Sequence, residues 1–481
     1  MNPLLNTDFY KVGHVFQYPP GTELVYSNLT CRSSRVPGVE HTVFFGAQYF
    51  VQKVLLDGFA DFFRMSTTRA VQEYTDIINP SIGPLPSTDH IVDLHRLGYL
   101  PLKIKALPEG SLVPLRVPML TIHNKHPAFA WLTNYVETML SNTMWLPITS
   151  ATIAREYRKI ISHYAQTTAT PAGFVDYMAH DFSCRGMSSA DSAIASGMAH
   201  LTSFRGTDTV AANWGLQRYY SAAPEDFGNS VPATEHSVMC AGGMDNELET
   251  FRRLIEDVYP NGIVSIVSDT WDLFGGVIAR ILPALKNRIL ARNGKVVIRP
   301  DSGDPVNIIC GDPDAPAGSL ERKGVVECLY DIFGGTPTAA GYIMLDPHIG
   351  AIYGDSITLQ RAQSILSRLH SKGFAAGNVV FGIGSYTYQY VTRDTFGMAI
   401  KSTAVKINGE YHQIYKRPKT DDGAKNSARG FLRVEPHGGT FKLVDNLPTP
   451  SQSSADALQT IFEDGITYNH TNINEIRRRL Q

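Results

Sequence analysis

Residues 262–305 read GIVSIVSDTWDLFGGVIARILPALKNRILARNGKVVIRPDSGDP. A β-branched apolar run at 262–267 stops at the polar turn SDTWD, apolar residues recur at helical spacing over 273–292, and a second run at 296–298 stops at RPDSGDP. A run of Val and Ile too short for a helix suits a strand buried on both faces, and the helix after it returns the chain to start a parallel neighbour. The unit recurs. Runs at 350–353 before GDS and 379–381 before GIGS, with helical stretches at 246–258 and 358–372, extend the pattern from residue 173 onward. Repeated strand, polar turn, helix units predict a parallel α/β sheet or barrel with its site at the C-terminal strand ends. The pattern alone does not distinguish a barrel from a doubly wound sheet.

Within this region, residues 180–236 concentrate charged, aromatic and small residues where an ordinary core would place aliphatics. HDFSCRG at 180–186 sets an imidazole, a carboxylate, a ring and a guanidinium side by side; GTDTV adds Asp208, and SVPATEH closes with Glu235 and His236. Each charge buried singly is costly, so the cluster points to a site. Taken alone, His180 or His236 reads as a structural histidine.

The chain before residue 173 has a different texture. Helical spacing at 46–69, 89–100, 128–146 and 149–165 surrounds a stretch at 100–124 that alternates apolar residues with Lys, Pro and Gly, as a small β-structure does. His123 and His126 form an HxxH pair without a further ligand motif, which reads as a surface turn rather than a metal site. Residues 305–323 read as a surface loop and 473–480 as a short basic helix. These shifts predict three segments: an α+β domain at 1–172, a catalytic α/β domain at 173–391 and a β-rich segment at 392–481.

Composition narrows the function classes. In 481 residues, 43 Lys and Arg nearly balance 45 Asp and Glu, for a net charge of -2. That balance supplies no broad basic field for nucleic acid or an anionic membrane, so any phosphate site must be local. Five scattered cysteines without a CxxC pair suggest free thiols in a reducing compartment. The start, MNPLLNTDFYK, has no signal-peptide pattern and no stretch approaches a membrane span, so a cytoplasmic enzyme is expected.

HDFSCRGMSS, FRGTDTV and SVPATEHS are similar to motifs of the nicotinamide phosphoribosyltransferases. NTDFYKVGHVFQYPP, VSDTWD, IRPDSGDP, YGDS, TRDTFGMAIKS and KNSARG extend that resemblance over nearly the whole chain in one order. It implies the irregular parallel α/β barrel of the type II phosphoribosyltransferases, with a second α+β domain built from N- and C-terminal segments. It also implies synthesis of nicotinamide mononucleotide and pyrophosphate from nicotinamide and phosphoribosyl pyrophosphate, in NAD salvage. Nicotinate phosphoribosyltransferase on the same fold and a catalytically silent nucleotide-binding relative are the alternatives.

By resemblance, Phe182 stacks on the pyridine ring. Asp301, Gly354 and Asp355 contact the ribose, while Arg185, Arg299, Arg393 and Lys401 contact phosphates. Asp208 would accept a hydrogen bond from the carboxamide NH2, whereas the carboxylate of nicotinate would meet it as a second anion. The glycine-rich turn with Gly384 and Ser385 would cradle the 5-phosphate. Ser385 stands where vertebrate members carry Gly, and Cys184 where they carry Tyr. The family also reaches into its partner's site, which implies a homodimer sharing Asp8, Tyr10, Arg32, Lys416 and Lys425. His236 is implied as the histidine that ATP phosphorylates, with Glu235 and Asp269 orienting it. Mg2+ would accompany pyrophosphate or nucleotide, with its protein ligands unknown.

Overall fold

The computed structural model describes residues 1–415 and 428–481, so Lys416 and Lys425 lie outside the described residues. The chain forms two compact units: one of residues 1–152, 215–226 and 391–481, the other of 153–214 and 227–390.

The first unit is built on a seven-stranded antiparallel sheet. In spatial order its strands are Glu410–Gln413, Met398–Ile407, Thr22–Cys31, Pro118–Asn124, Leu102–Ala106, Gln459–Glu463 and Ile466–Thr467. Strands from both chain ends therefore share one sheet, as the resemblance implied. Helix Thr67–Ile82 begins at Ser66, whose side chain accepts from the Arg69 N–H, and buries Ala70, Tyr74 and Ile78 at intervals of four residues. These residues join Phe59, Phe62, Leu102, Ile104, Leu120 and Ile122 in one apolar cluster. His123 departs from the surface turn expected of it: it lies within strand Pro118–Asn124, where burial lowers its pKa to about 4.

The second unit contains six parallel strands: β1 (Ala179–Asp181), β2 (Gly206–Thr207), β3 (Asn261–Val267), β4 (Asn293–Arg299), β5 (Ile349–Tyr353) and β6 (Val379–Ile383). Their order is β2-β1-β6-β5-β4-β3, with every adjacent pair parallel. Residues 229–234 bridge the two edges. Asn229 pairs with Gly206 of β2 and Ala233 with Ser265 of β3, while the Thr234 hydroxyl accepts from the Val267 N–H at 2.9 Å. This short irregular link curls the sheet around into a barrel, which resolves the alternative of a doubly wound sheet.

Alternation along the strands separates outside from inside. Val264, Ile266, Val296, Ile298, Val379 and Phe381 are buried. Residues of opposite parity, Ile263, Ser265, Lys295, Val297, Gly350, Ile352 and Val380, line a lumen cavity of about 310 Å³. Small residues at several of these positions leave that space unfilled.

Two sequence expectations meet corrections here. Residues 305–323 contain helices Pro305–Cys310 and Leu320–Lys323, because Asp304 caps Val306 and Asn307, Pro305 suits the first helical turn, and Ser319 caps Arg322. The predicted helices at 128–146 and 149–165 meet in one helix, Glu137–Thr167, which carries Pro147 within it.

Candidate active site

Continuing the inward parity past each strand end reaches Phe182, Asp208, Arg299, Asp301, Gly354 and Gly384. All six line one cleft of about 690 Å³, together with Arg185, Glu235, His236, Asp355 and Ser385. The barrel therefore gathers side chains that lie up to about two hundred positions apart in sequence, through strand ends that share one rim.

The floor is set by Phe182. The Arg299 guanidinium lies over its ring at 4.9 Å from the centroid, a cation–π contact that leaves the buried Arg299 Nε without a hydrogen-bond partner. The edge of the ring fits against glycines: a Cβ at Gly382 would come within 2.2 Å of Phe182, and one at Gly354 within 2.9 Å. Any larger residue at Gly382 would displace the ring. The sequence placed Gly382 only in the GIGS turn expected to cradle the 5-phosphate, and its packing against the ring went unassigned although its strand parity was readable there.

Asp208 accepts a hydrogen bond from the Ser230 hydroxyl. Desolvation raises the pKa of Asp208 above its ordinary range, opposed by the Ser230 hydrogen bond and the Arg299 charge. Ser230 went unassigned in the sequence, even though it opens the SVPATEH motif. Asp208 and Phe182 also face the lumen cavity, so the cleft and the cavity meet at this point.

Across the cleft, His236 begins helix His236–Gly242, with Glu235 at its N-cap position. His236 Nε2 stands 3.4 Å from Asp269 Oδ1, while the other Asp269 oxygen accepts from the Asp301 N–H at 2.9 Å and the Ser302 hydroxyl at 2.5 Å. Asp269 thus connects the histidine to the Asp301 turn. Glu235 accepts from Ser237 instead of reaching the imidazole. Among the described residues, His236 Nδ1 has no hydrogen-bond partner. Desolvation raises the Asp301 pKa, opposed by Arg299 and reinforced by the charges of Asp269 and Asp355. By contrast, His180 is buried against Gly206 and its pKa falls to about 4, mainly through desolvation, which keeps it neutral near pH 7.

The remaining sequence-predicted residues belong to the first unit. Asp8 accepts from Thr138 Oγ1 at 2.6 Å, and Tyr10 is 62% exposed. Desolvation raises the Tyr10 pKa, reinforced by Asp8 and Glu137 and opposed by the Arg393 charge. Arg32 donates from Nε to the Gly397 carbonyl at 2.9 Å, while Lys401 is exposed on strand Met398–Ile407. No group of three or more His, Cys, Asp or Glu side chains among the described residues has the arrangement of a metal site. No helix among them is long and apolar enough to cross a membrane.

The nicotinate phosphoribosyltransferase (NAPRTase) family model matches residues 177–469, and the nicotinamide phosphoribosyltransferase N-terminal domain matches residues 2–104. The nicotinamide phosphoribosyltransferase of Acinetobacter baylyi is 51% identical, covering 100% of this chain and 97% of the relative. The protein of the same description from Xanthomonas campestris is 34% identical, covering 99% and 97%. In fold, the chain is similar to a nicotinate-nucleotide pyrophosphorylase from Pyrococcus furiosus, with TM-score 0.60, 15% identity and coverage of 100% and 95%. It is also similar to human nicotinic acid phosphoribosyltransferase, with TM-score 0.54, 16% identity and coverage of 98% and 92%. The chain belongs to the nicotinate phosphoribosyltransferase family, and the two relatives described above, which match nearly its whole length, are nicotinamide phosphoribosyltransferases.

Proposed function

We propose that the protein is a nicotinamide phosphoribosyltransferase of NAD salvage. The bond from ribose C1 to pyrophosphate breaks, pyrophosphate leaves with the bonding pair, and the pyridine nitrogen bonds to C1. The observation that supports the amide substrate best is Asp208 beside Phe182, open to the cleft and hydrogen-bonded to Ser230. An ionised Asp208 accepts from a carboxamide NH2 and repels a carboxylate. Nicotinate is the second reading, favoured by the family's description and opposed by that repulsion.

Phe182 orients the pyridine ring, and Arg299 supplies positive charge at the ring's face. Asp301 and Asp355, with the backbone at Gly354, hold the ribose hydroxyls while positive charge develops at C1. Arg185 meets phosphate oxygens, and the turn at Gly384 and Ser385 receives the 5-phosphate. By resemblance alone, Arg393 and Lys401 are assigned to phosphates, and Asp8, Tyr10, Arg32, Lys416 and Lys425 to the sites that an assembled homodimer would share.

The acidic groups fit Mg2+ that arrives with pyrophosphate and keeps several waters. The charges of Asp269 and Asp355 both raise the Asp301 pKa, yet the described residues form no dedicated metal cage. Asp301 and Asp355 would hold the ion, which when bound neutralises charge on the leaving pyrophosphate. ATP acts through His236: the bond to the γ-phosphorus breaks, ADP leaves, and a ring nitrogen bonds to phosphorus until water releases phosphate. With Asp269 at Nε2, Nδ1 is the nitrogen free to attack.

One assay tests this reading: the purified chain with phosphoribosyl pyrophosphate, Mg2+ and either nicotinamide or nicotinate, with and without ATP. Nicotinamide mononucleotide is the expected product, with ATP hydrolysed alongside. Faster use of nicotinate would overturn the amide assignment. Synthesis without ATP hydrolysis would remove the phosphohistidine step.

A further inference from the structure

The cleft presents two aromatic surfaces, and the proposed ring substrate uses only one. Phe182 forms the first, on the floor beside Asp208. Tyr386, which lines the same cleft, stacks with Tyr390 to form the second: their ring centroids are 5.3 Å apart and their planes 17° apart. Both rings remain open, Tyr386 at 51% and Tyr390 at 80% exposure. Two stacked aromatic side chains held in water leave a large apolar face uncovered.

This face is held in place from below. Tyr386 and Tyr390 lie four residues apart, while Thr387 and Tyr388 between them are buried. Tyr388 Oη lies 2.7 Å from His200 Nδ1, and Thr387 donates to the Ile357 carbonyl at 2.8 Å. The side chain of Gln389 accepts from the Ser188 N–H at 2.9 Å. These contacts fix the turn that presents the two tyrosines.

A cation adjoins the turn. Gly186 approaches Ser385 so closely that a Cβ would lie 2.0 Å from Ser385 Oγ, bringing the Arg185 turn against the residue before Tyr386. Arg185 is exposed and, among the described residues, makes no hydrogen bond or ion pair. His236 opens on the same cleft. A ligand with an aromatic ring joined to a chain of phosphates has complementary groups here: the ring for the tyrosines and the phosphates for Arg185. Phosphoribosyl pyrophosphate has no aromatic ring, and the nicotinamide ring is assigned to Phe182.

We propose that Tyr386, Tyr390 and Arg185 form the subsite for the purine base and inner phosphates of a nucleoside triphosphate whose terminal phosphate reaches His236. This rests on the ATP reading above and deepens it, because it locates the recognition of the base. Stacking on an aromatic pair favours purines over phosphate chains that lack a base.

The experiment compares Mg2+-ATP with Mg2+-tripolyphosphate by calorimetric titration of the full chain. The proteins are the parent, Tyr386→Ala/Tyr390→Ala and Tyr386→Phe/Tyr390→Phe. The parent is expected to bind ATP about tenfold more tightly than tripolyphosphate, a typical stacking contribution. The alanine pair should erase that preference while still binding tripolyphosphate, and the phenylalanine pair should restore it. If the alanine pair does not fold, single Tyr390→Ala should reduce the preference and Tyr390→Phe should retain it. Equal affinities in the parent, or full preference without the rings, would overturn the subsite. So would a change from dimer to monomer with the base preference intact, since the tyrosines would then face a second copy. Nicotinamide mononucleotide synthesis is followed separately: its absence refutes the proposed activity, whereas synthesis without base preference refutes only the subsite.

Discussion

On the proposed function, Asp208 would exchange stability for selectivity. Its carboxyl pKa is raised in the fold, chiefly by desolvation, so the native state holds its proton more tightly than the unfolded chain does. Ionisation at neutral pH therefore opposes folding, and that cost disappears only below the ordinary aspartate value of 3.8. Asp208→Asn should raise the melting temperature at pH 7 and lose that advantage in strong acid, as paired thermal melts would reveal. The same substitution should lower the preference for nicotinamide over nicotinate by about tenfold, within the range for a hydrogen bond to a charged group. In the parent, nicotinamide binding should weaken with falling pH in a window above 3.8, and Asp208→Asn should flatten that dependence. An unchanged amide-to-acid ratio would remove Asp208 from substrate selection. The identity of Asp208 was legible in GTDTV because a lone carboxylate at a strand end is conspicuous. Ser230 was not, because a serine in a loop shows no partner until the barrel closes.

Among the elements, the link at 229–234 has the greatest effect for its length. It is tied to helix Val210–Tyr220 by a reciprocal amide pair: Asn213 donates to the Gly228 carbonyl at 2.9 Å and accepts from the Gly228 N–H at 2.8 Å. Asn213→Ala removes both hydrogen bonds and leaves a half-buried backbone unpaired. A loss of about 1–3 kcal/mol in denaturant unfolding is expected, with a larger effect on catalysis because Glu235 and His236 follow the link directly. A stability change within error would show that the strand bridges alone hold it. The parallel strands were readable because Val and Ile runs buried on both faces have few alternatives. The link was not, since two isolated bridges leave no periodic trace in the sequence. The helices at 305–323 were hidden differently: Asp, Pro and Gly are also turn residues, and only the capping geometry shows Asp304 and Pro305 starting a helix.

At the scale of the whole molecule, the N-terminal Tyr10 and Arg32 belong to a different compact unit from Phe182 and Asp208. If a homodimer shares its sites, inactive Tyr10→Ala/Arg32→Ala chains mixed with inactive Asp208→Ala chains should regain about one quarter of parental activity. Half the dimers of a random mixture are mixed, and one of their two sites has every group intact. Continued inactivity after verified subunit exchange would count against sharing. Broad fold class was legible because the strand–turn–helix period survives without an alignment, but the first unit's sheet, assembled from both chain ends, was accessible only through resemblance. The barrel itself is a hoop with one thin stave. Five neighbouring strand pairs carry regular parallel ladders, while the gap between the outer strands is spanned by the link leading to His236. Local opening concentrates where ladder bonds are fewest. If His236 takes up a phosphoryl group as proposed, the added charge would sit next to that seam, the part of the hoop held by the fewest ladder bonds.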